Sequence, residues 1–245
     1  MKVDFVIAGT QKGGTTALRA YLLNHPEICM ARRMEVHFFD FAEHFQSEPM
    51  DYSVYHQWFR PTGRQRVFGE KTPIYMYWYD APRRIWEYNP GMKWILLLRN
   101  PIERAYAHWN MECIRNRDHV DFWSAIQNEH IRCREALPLQ HRDYSYQDRG
   151  FYTEQLRRIW HFFPRQQTLI VKSEELRATP LETLNKVCHF LGVEPFSHVD
   201  PLNVRAQEYL APLETRARQY LERVFEYEIK ELEQLLEWDC SDWLK

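Results

Sequence analysis

The feature that most constrains this chain is a polar, glycine-containing loop near its amino end. An apolar run at residues 3–8 ends in Gly9, and residues 10–16 then read Thr-Gln-Lys-Gly-Gly-Thr-Thr before an amphipathic segment begins. This order predicts a buried strand, a tight turn and the amino end of a helix. Such an arrangement offers backbone N–H groups, a helix dipole and the Lys12 ammonium to a phosphate.

The residue types in this loop fit an anion site. Gly13 and Gly14 lack a Cβ, so the backbone can close on an anion. Thr15 and Thr16 are predicted to cap the helix and to donate hydroxyl protons to phosphate oxygens. Because Lys12 precedes the glycine pair, the loop does not match the nucleotide-triphosphate motif G-x-x-x-x-G-K-[ST]. An ordinary strand-to-helix turn is the alternative explanation of the loop taken alone.

The rest of the chain alternates short apolar runs with amphipathic segments. Residues 93–98 form a nearly continuous apolar run, which is typical of a parallel strand covered on both faces. Further strands are predicted at 27–30 and 168–171, and residues 67–73 are predicted to be a strand that runs into a loop. Helices are predicted at 15–25, within 51–61, at 81–88, from 101 onward, and at 122–135, 150–163, 180–191 and 213–238. This alternation predicts the α/β class. We expect one domain over residues 1–245, with a central parallel sheet flanked by helices in a P-loop-like architecture.

The amino-acid composition limits which binding partners and which cellular compartment we expect. The net charge of −2 gives no reason to expect a nucleic acid or another polyanion over the whole surface, so any positive potential must be local. The five cysteines are scattered and contain no C-x-x-C pair, which argues against a disulfide framework and a zinc site and fits a reducing compartment. Neither a leader peptide nor a membrane span is evident. We therefore expect a cytoplasmic protein.

Polar residues occur where several of these strands are predicted to end, and open α/β sheets bind their ligands there. These places are the Lys12 loop, the group Glu35, His37 and Asp40, the stretch 70–73, and the stretch 99–101. Taken singly, Lys71 or Arg99 is more often a surface charge. Together they predict one cleft that combines cations with acidic and imidazole groups.

Arg99 also bears on the kind of chemistry. A magnesium-dependent phosphoryl transferase usually holds its metal with a carboxylate at the end of a buried strand. Here the apolar strand at 93–98 runs into Arg99 instead. A cation at that place repels a metal ion and attracts a phosphate. The sequence therefore predicts a site that stabilises anionic charge with lysine and arginine and uses no metal.

Four motifs in this order resemble a known enzyme family. Residues 12–16 (KGGTT), 35–40 (EVHFFD), 70–73 (EKTP) and 98–104 (LRNPIER) resemble sulfotransferases that use 3′-phosphoadenosine 5′-phosphosulfate (PAPS). The likeness is strongest to the heparan sulfate and related carbohydrate sulfotransferases and to bacterial members of that group. It continues through 149–152 and 162–164 to Arg205 and Pro212, and so covers nearly the whole chain.

The resemblance implies a set of cofactor-binding residues. Residues 12–16, which include Gly13, Gly14, Thr15 and Thr16, would bind the 5′-phosphosulfate, with Lys12 near the bridging oxygen. Arg99 would hold the 3′-phosphate, and Arg205 would belong to a late loop that closes over the cofactor and the substrate.

The resemblance also implies the catalytic residues. Glu35 matches the general base, while His37, Asp40 and Lys71 match positions that line the acceptor site. Lys71 would in addition steady charge on the sulfuryl oxygens. In-line sulfuryl transfer builds negative charge on the leaving phosphate, and losing one fixed donor to such charge typically costs about 3 kcal/mol. A positioned carboxylate base contributes roughly 10²–10⁴-fold.

The chain departs from the family pattern at two places. Ala107 stands where the family usually has a serine eight residues after the 3′-phosphate arginine, and His108 or a water is the candidate substitute for that hydroxyl. Asn203 and Val204 stand where the family has lysine and glycine. Both departures concern contacts with the cofactor.

Several alternatives stay open from the sequence. Glu35 can pair simply with Arg32 or Arg33, and His37 can be a structural histidine. A nucleoside or nucleotide kinase is the second candidate function, and a cofactor-binding protein without turnover is the third. The acceptor is expected to be a small molecule or a modest glycan that offers a hydroxyl or an amine. The oligomeric state is open.

Overall fold

A five-stranded parallel β-sheet forms the centre of the computed structural model, which describes residues 1–47, 49–200 and 208–244. The strands are β1 (Phe5–Gly9), β2 (Ile28–Met30), β3 (Val67–Lys71), β4 (Lys93–Leu98) and β5 (Thr168–Lys172). Their spatial order is β2-β3-β1-β4-β5, and every neighbouring pair is parallel. The carboxyl ends of all five strands therefore lie along one side of the sheet, called the carboxyl edge below.

Ten α-helices occur in the part of the chain that the structure describes. They are α1 (Thr15–Leu22), α2 (Ser53–His56), α3 (Ala81–Tyr88), α4 (Pro101–Ile114), α5 (Phe122–Gln127), α6 (Glu129–Cys133), α7 (Tyr152–Phe162), α8 (Ser173–Ala178), α9 (Pro180–Leu191) and α10 (Thr215–Leu236). Short 3-10 helices occur at Ala42–Phe45, Arg134–Ala136, Asp148–Gly150, Arg165–Gln167 and Ser241–Leu244. The predicted α/β class with a parallel sheet and flanking helices is confirmed.

The elements with the clearest sequence signals lie where they were predicted. The apolar run at 93–98 is β4, a buried strand between β1 and β5. Pro101 begins α4, and the Asn100 side chain caps that helix by accepting from Ile102 N at 2.9 Å. The helix α9 ends at Gly192, whose φ of 76° is the left-handed conformation that glycine adopts without strain.

The structure corrects two predictions about helices. The helix predicted at 122–135 is interrupted at Asn128, where α5 ends and α6 begins. The six-residue helix α8 was not predicted. It begins directly after β5 and is too short to show a complete helical period in the sequence.

The chain divides into two compact units. The first contains Met1–Leu98 and Arg158–Val204, and it includes the whole sheet. The second contains Arg99–Arg157 and Arg205–Lys245. The expectation of one domain over residues 1–245 stays a prediction.

Apolar side chains from the sheet and from two helices form the core of the first unit. Phe5 and Ile7 of β1 and Ile95 and Leu97 of β4 pack with α1 and α9. The helices contribute their buried faces: Leu18, Tyr21 and Leu22 from α1, and Leu184, Val187, Cys188 and Leu191 from α9. Burial of this apolar surface holds the loop that precedes α1 against the carboxyl edge.

The second unit is helical and is held by α4 and α10. A stripe on α10 is buried at Ala217, Leu221, Phe225, Ile229 and Leu232. Glu228 of the same helix accepts hydrogen bonds from the Thr153 backbone N–H at 2.8 Å and the Thr153 hydroxyl at 2.9 Å. No helix in the described part of the chain combines the length and the apolar character that crossing a membrane requires.

Candidate active site

The loop between β1 and α1 is closed by its own backbone and by β4. Thr10 N donates to the Leu97 carbonyl oxygen at 2.9 Å, and Gly13 N donates to Thr10 O at 2.9 Å. Lys12 and Gly14 have φ values of 71° and 98°. Left-handed residues among right-handed ones gather backbone N–H groups into a concavity that binds anions.

One detail of this loop differs from the prediction. The helix α1 begins after Gly14, and no side chain caps it, so neither Thr15 nor Thr16 is the cap. Thr16 is exposed, and its hydroxyl is therefore open to a ligand. At Gly13 the protein itself also requires a glycine, because a Cβ there would lie 2.3 Å from the Leu97 carbonyl oxygen.

Four of the predicted site residues form one hydrogen-bonded chain in the first unit. Lys71 Nζ lies 2.6 Å from Glu35 Oε1. The other oxygen of that carboxylate, Oε2, lies 3.1 Å from His37 Nε2. His37 Nδ1 lies 2.9 Å from Asp40 Oδ2. The structure thus brings Lys71, Glu35, His37 and Asp40 together.

The fold explains why these residues meet. Lys71 is the last residue of β3, and Glu35 follows β2, the strand beside β3 at the sheet's border. The chain after β3 then runs along β1, since Thr72 N donates to Ile7 O at 3.1 Å. The Lys12 loop follows β1, so the loop and the Glu35 cluster both lie at the carboxyl edge, as predicted from the strand ends.

The charges of this chain are set by its burial and its contacts. Burial alone would raise the pKa of Glu35, but hydrogen bonds and positive charge from His37 and Lys71 outweigh it and lower the pKa to about 2. Burial alone would lower the pKa of His37, but hydrogen bonds to Asp40 and Glu35 raise it to about 9. At neutral pH, Glu35 is therefore a carboxylate and His37 an imidazolium.

Of the two positively charged side chains in this hydrogen-bonded chain, Lys71 and His37, Lys71 is the less exposed to solvent. Its side chain is 1% exposed, whereas that of Glu35 is 35% exposed. Burial lowers the pKa of Lys71, and the Glu35 carboxylate acts in the opposite direction. Glu35 is thus the most exposed of the four side chains, and a substrate can reach it there. Its partners are Lys71 and His37, so the simple pairing with Arg32 or Arg33 is wrong.

Two side chains hold the backbone of this cluster, and the sequence assigned neither of them this role. Thr72 Oγ1 accepts from Val36 N at 2.9 Å. The Tyr75 hydroxyl accepts from Phe38 N at 2.9 Å. Thr72 belongs to the motif at 70–73 and Tyr75 follows it closely in the chain, and these positions were the signal that could have identified them.

Arg99 lies in the second unit, at the amino end of α4. Tyr152 OH donates to the Arg99 carbonyl oxygen at 2.8 Å. The guanidinium Nη2 lies 4.0 Å from Glu103 Oε2 and 3.4 Å from the Tyr209 hydroxyl. A cation held in this way at the start of a helix suits a phosphate.

The structure removes His108 from the two candidates, His108 and a water, that could replace the family serine at Ala107. His108 is fully buried, with its ring 4.9 Å from that of Tyr146 and its Nε2 3.7 Å from Glu112 Oε1. Its imidazole is therefore not at a surface that a phosphate could reach, and His108 does not substitute for a hydroxyl at Ala107. Arg205, with Asn203 and Val204, lies outside the described residues.

Comparison with known proteins identifies the family. A family model described as the sulfotransferase domain matches residues 2–208. The chain belongs to the sulfotransferase family. This membership agrees with the family resemblance of the loop, the Glu35 cluster and the stretch at Arg99.

Two curated relatives of this sulfotransferase-family chain are heparan sulfate enzymes. Heparan sulfate glucosamine 3-O-sulfotransferase 3B1 of Mus musculus is 31% identical over 189 residues, which are 77% of this chain and 46% of the relative. Heparan sulfate glucosamine 3-O-sulfotransferase 6 of Homo sapiens is 30% identical over 193 residues, which are 77% of this chain and 52% of the relative. The chain thus spans about half the length of these relatives.

A solved structure matches over the full length. The crystal structure of a sulfotransferase from Alicyclobacillus acidocaldarius has a TM-score of 0.84 with 25% sequence identity, and the match covers 100% of both chains. The sulfotransferase domain from the curacin biosynthetic pathway has a TM-score of 0.53 at 13% identity, which is a likeness of fold alone.

Proposed function

We propose that this chain is an enzyme that transfers a sulfuryl group from PAPS to an acceptor hydroxyl or amine. The observation that carries the proposal is Glu35, a partly exposed carboxylate held by Lys71 and His37 on the same sheet edge as the Lys12 loop. Membership in the sulfotransferase family supports it.

The residues of the loop fit the cofactor's anionic groups. Lys12, the backbone N–H groups around Gly13 and Gly14, and the exposed Thr16 hydroxyl are all donors, and residues 10–16 contain no carboxylate. Because α1 begins at Thr15, its first N–H groups have no acceptor within the helix and can serve an anion. When bound, PAPS supplies an activated sulfuryl group on a phosphate that leaves easily. Arg99 and Arg205 are proposed to hold the 3′-phosphate side.

Glu35 is proposed to accept the proton of the acceptor hydroxyl. A base works best when its pKa lies near the working pH, and a pKa of about 2 is far below it. Efficient proton transfer therefore requires that Glu35 lose part of its contact with Lys71 or His37. We propose that the Lys71 ammonium turns toward charge that develops on the sulfuryl oxygens, which strengthens Glu35 as a base at the moment of transfer.

The neighbourhood of Glu35 favours an acceptor that carries negative charge. Arg32 and Arg33 are exposed and form no salt bridge with any residue in the described ranges. Arg33 lies over the Trp58 ring, with its Cζ 5.3 Å from the ring centroid. The relatives' names specify a glucosamine of heparan sulfate. We propose an acidic glycan or an acidic small molecule as the acceptor.

The reaction is proposed to need no metal. Among residues 1–47, 49–200 and 208–244, no group of three or more His, Cys, Asp or Glu side chains is arranged to hold a metal ion. The proposal rests on the cations Lys12, Lys71 and Arg99, which carry the charge stabilisation that a metal would otherwise supply. A cytoplasmic location likewise stays a proposal.

Calorimetric titration with 3′-phosphoadenosine 5′-phosphate (PAP), beside ATP with magnesium, tests the reaction class. We expect tight binding of PAP and little binding of ATP. The opposite preference would replace the sulfotransferase proposal with the kinase alternative. Incubation with PAPS labelled in the sulfuryl group and heparan sulfate as the acceptor probe then tests turnover.

A further inference from the structure

Two successive residues of β3 act on the segment 35–40, called the acidic loop below. Lys71 contacts the loop directly through Glu35. Glu70 lies on the opposite face of the strand, because neighbouring side chains in a strand point to opposite sides. Its carboxyl is 0% exposed. A buried carboxyl needs hydrogen-bond donors, and those found around Glu70 lead back to the acidic loop.

Thr72 links Glu70 to the first half of the acidic loop. Its Oγ1 donates to Glu70 Oε2 at 2.7 Å. The same oxygen accepts from Val36 N at 2.9 Å and from His37 N at 3.3 Å. A hydroxyl has one proton and two lone pairs. Because Glu70 takes the proton, both lone pairs of Thr72 remain available to the loop.

Tyr75 links Glu70 to the second half in the same way. Its hydroxyl accepts from Phe38 N at 2.9 Å and from Phe39 N at 3.4 Å. A hydrogen bond between Tyr75 and the Glu70 carboxyl lowers the pKa of Glu70. The backbone N–H groups of residues 36–39 in the acidic loop therefore donate to two hydroxyls. Both hydroxyls are hydrogen-bonded to the Glu70 carboxyl.

The loop needs these anchors because its backbone is strained at the centre. His37 has a φ of 54°, a left-handed conformation that a residue with a Cβ adopts only at some cost. Release of the amides on either side would let His37 relax to an extended conformation. Its imidazole would then leave the carboxylates of Glu35 and Asp40.

We propose that Glu70 is a positioning residue for the base, acting through the hydroxyls of Thr72 and Tyr75 on the acidic loop. The inference rests on the proposed function in so far as it treats Glu35 as the base. It assigns Glu70 no contact with substrate or cofactor. Glu70 fixes the positions of Glu35 and His37.

The anchoring works only while Glu70 is ionised. Burial raises the pKa of Glu70 to about 7, against the hydrogen bonds from Thr72 and Tyr75. The charge of Asp40 also raises this pKa, and that of His37 lowers it. The Tyr55 hydroxyl also faces the carboxyl, 3.4 Å from Oε1, and the Lys71 ammonium interacts with it through its charge. A protonated Glu70 would itself become a donor and could no longer take both hydroxyl protons.

The test follows the His37 imidazole by NMR in the whole chain, titrated from neutral to alkaline pH. A His37→Gln variant identifies the resonance. The wild-type pKa is expected at about 9. In Glu70→Gln and in Thr72→Val we expect it to fall toward the ordinary value of about 6.5. Thr72→Ser keeps the hydroxyl and is expected to restore the wild-type titration.

Thr183→Val is the matched control. Its hydroxyl is also buried, on α9, but has no hydrogen-bond partner within the described residues. The His37 titration should be unchanged in this variant. If Thr72→Val destabilises the fold, Tyr75→Phe removes one anchoring hydroxyl with little change of shape and serves in its place.

An unchanged His37 titration in folded Glu70→Gln and Thr72→Val would overturn the inference. Calorimetry with PAP separates this result from failure of the proposed function. A wild-type protein that does not bind PAP contradicts the proposed function, whereas the His37 titration does not depend on PAP. PAP affinity in both variants is expected to stay within about threefold of wild type, since the hydrogen bonds of the two side chains are directed to each other and to the acidic loop.

Discussion

Lys71 Nζ and Glu35 Oε1 lie 2.6 Å apart at the carboxyl edge of the sheet, with the ammonium buried and the carboxylate partly open. This contact makes Glu35 a stable anion and a weak base. It also keeps the Lys71 ammonium, whose charge makes Glu35 a weaker base, directly beside that carboxylate. The pair therefore links the protonation of Glu35 to the position of one lysine.

Replacing Lys71 with methionine should raise the pKa of Glu35. The wild-type pKa of about 2 is depressed, so the stabilisation from an ionised Glu35 is present above its unfolded value of 4.5 and is lost as the pH falls toward 2. In Lys71→Met this stabilisation should be smaller, and its loss should be complete at a higher pH, because the folded-state pKa lies closer to 4.5. The acid limb of the activity profile should move upward in the same direction.

Lys93→Met is a suitable control for this change. Lys93 is a partly buried lysine at the amino end of β4, where its Nζ donates to Phe190 O at 2.6 Å. Its removal should leave the acid limb in place. An acid limb that stays fixed in Lys71→Met as well would contradict the assigned influence of Lys71 on Glu35.

Replacing Glu35 with glutamine should separate catalysis from cofactor binding. The amide keeps the shape of the side chain but cannot accept a proton, so kcat should fall by roughly 10²–10⁴-fold. PAP affinity measured by calorimetry should be preserved. Undiminished turnover would remove Glu35 from the base role, and absence of turnover in the wild type would favour a cofactor-binding protein.

Gly13→Ala should damage the loop through its neighbour in the sheet. The added Cβ would lie 2.3 Å from the Leu97 carbonyl oxygen, which belongs to the rigid strand β4. Overpacking of this kind costs about 1–3 kcal/mol, and the loop should shift to avoid it. Denaturant unfolding should report lower stability, and calorimetry should report weaker PAP binding.

Gly91→Ala is the comparison for this variant. A Cβ at Gly91 meets only the Asn89 side-chain oxygen, at 3.3 Å, and the residue is in a turn at the other end of β4. Its stability should change less, and its PAP affinity should match wild type. Equal losses of affinity in both variants would show that the Gly13 effect is not local.

Arg99→Ala should discriminate between ligands with and without a 3′-phosphate. A hydrogen bond from a charged group contributes about 1.5–3 kcal/mol, so PAP should bind roughly ten- to a hundredfold more weakly. Adenosine 5′-phosphate lacks the 3′-phosphate and should bind with unchanged affinity. Arg223→Ala, an exposed arginine on α10, should alter neither. Equal weakening of both ligands by Arg99→Ala would contradict the assigned role.

The strands and the loop between β1 and α1 followed from the sequence because their signals are local. A continuous apolar run such as the one that became β4 is typical of a strand covered on both faces, and with the alternation of strands and helices it predicts a parallel sheet. Pro101 and Gly192 fix helix ends through their own backbone preferences. The break at Asn128 and the helix α8 were missed, because helix lengths of five or six residues depend on contacts with the rest of the fold.

The candidate site likewise has features that the sequence predicted and features that only the tertiary structure shows. The sequence determined which residue types are present, and the resemblance of their motifs indicated the family. Only the tertiary structure decided that Glu35 pairs with Lys71 and His37 rather than with Arg32 or Arg33 beside it in the chain. The reason is physical: pKa values and hydrogen bonds depend on burial and on distances of a few ångströms between residues far apart in sequence. For the same reason, the buried carboxyl of Glu70 could be connected to the acidic loop only once β2 and β3 were seen side by side.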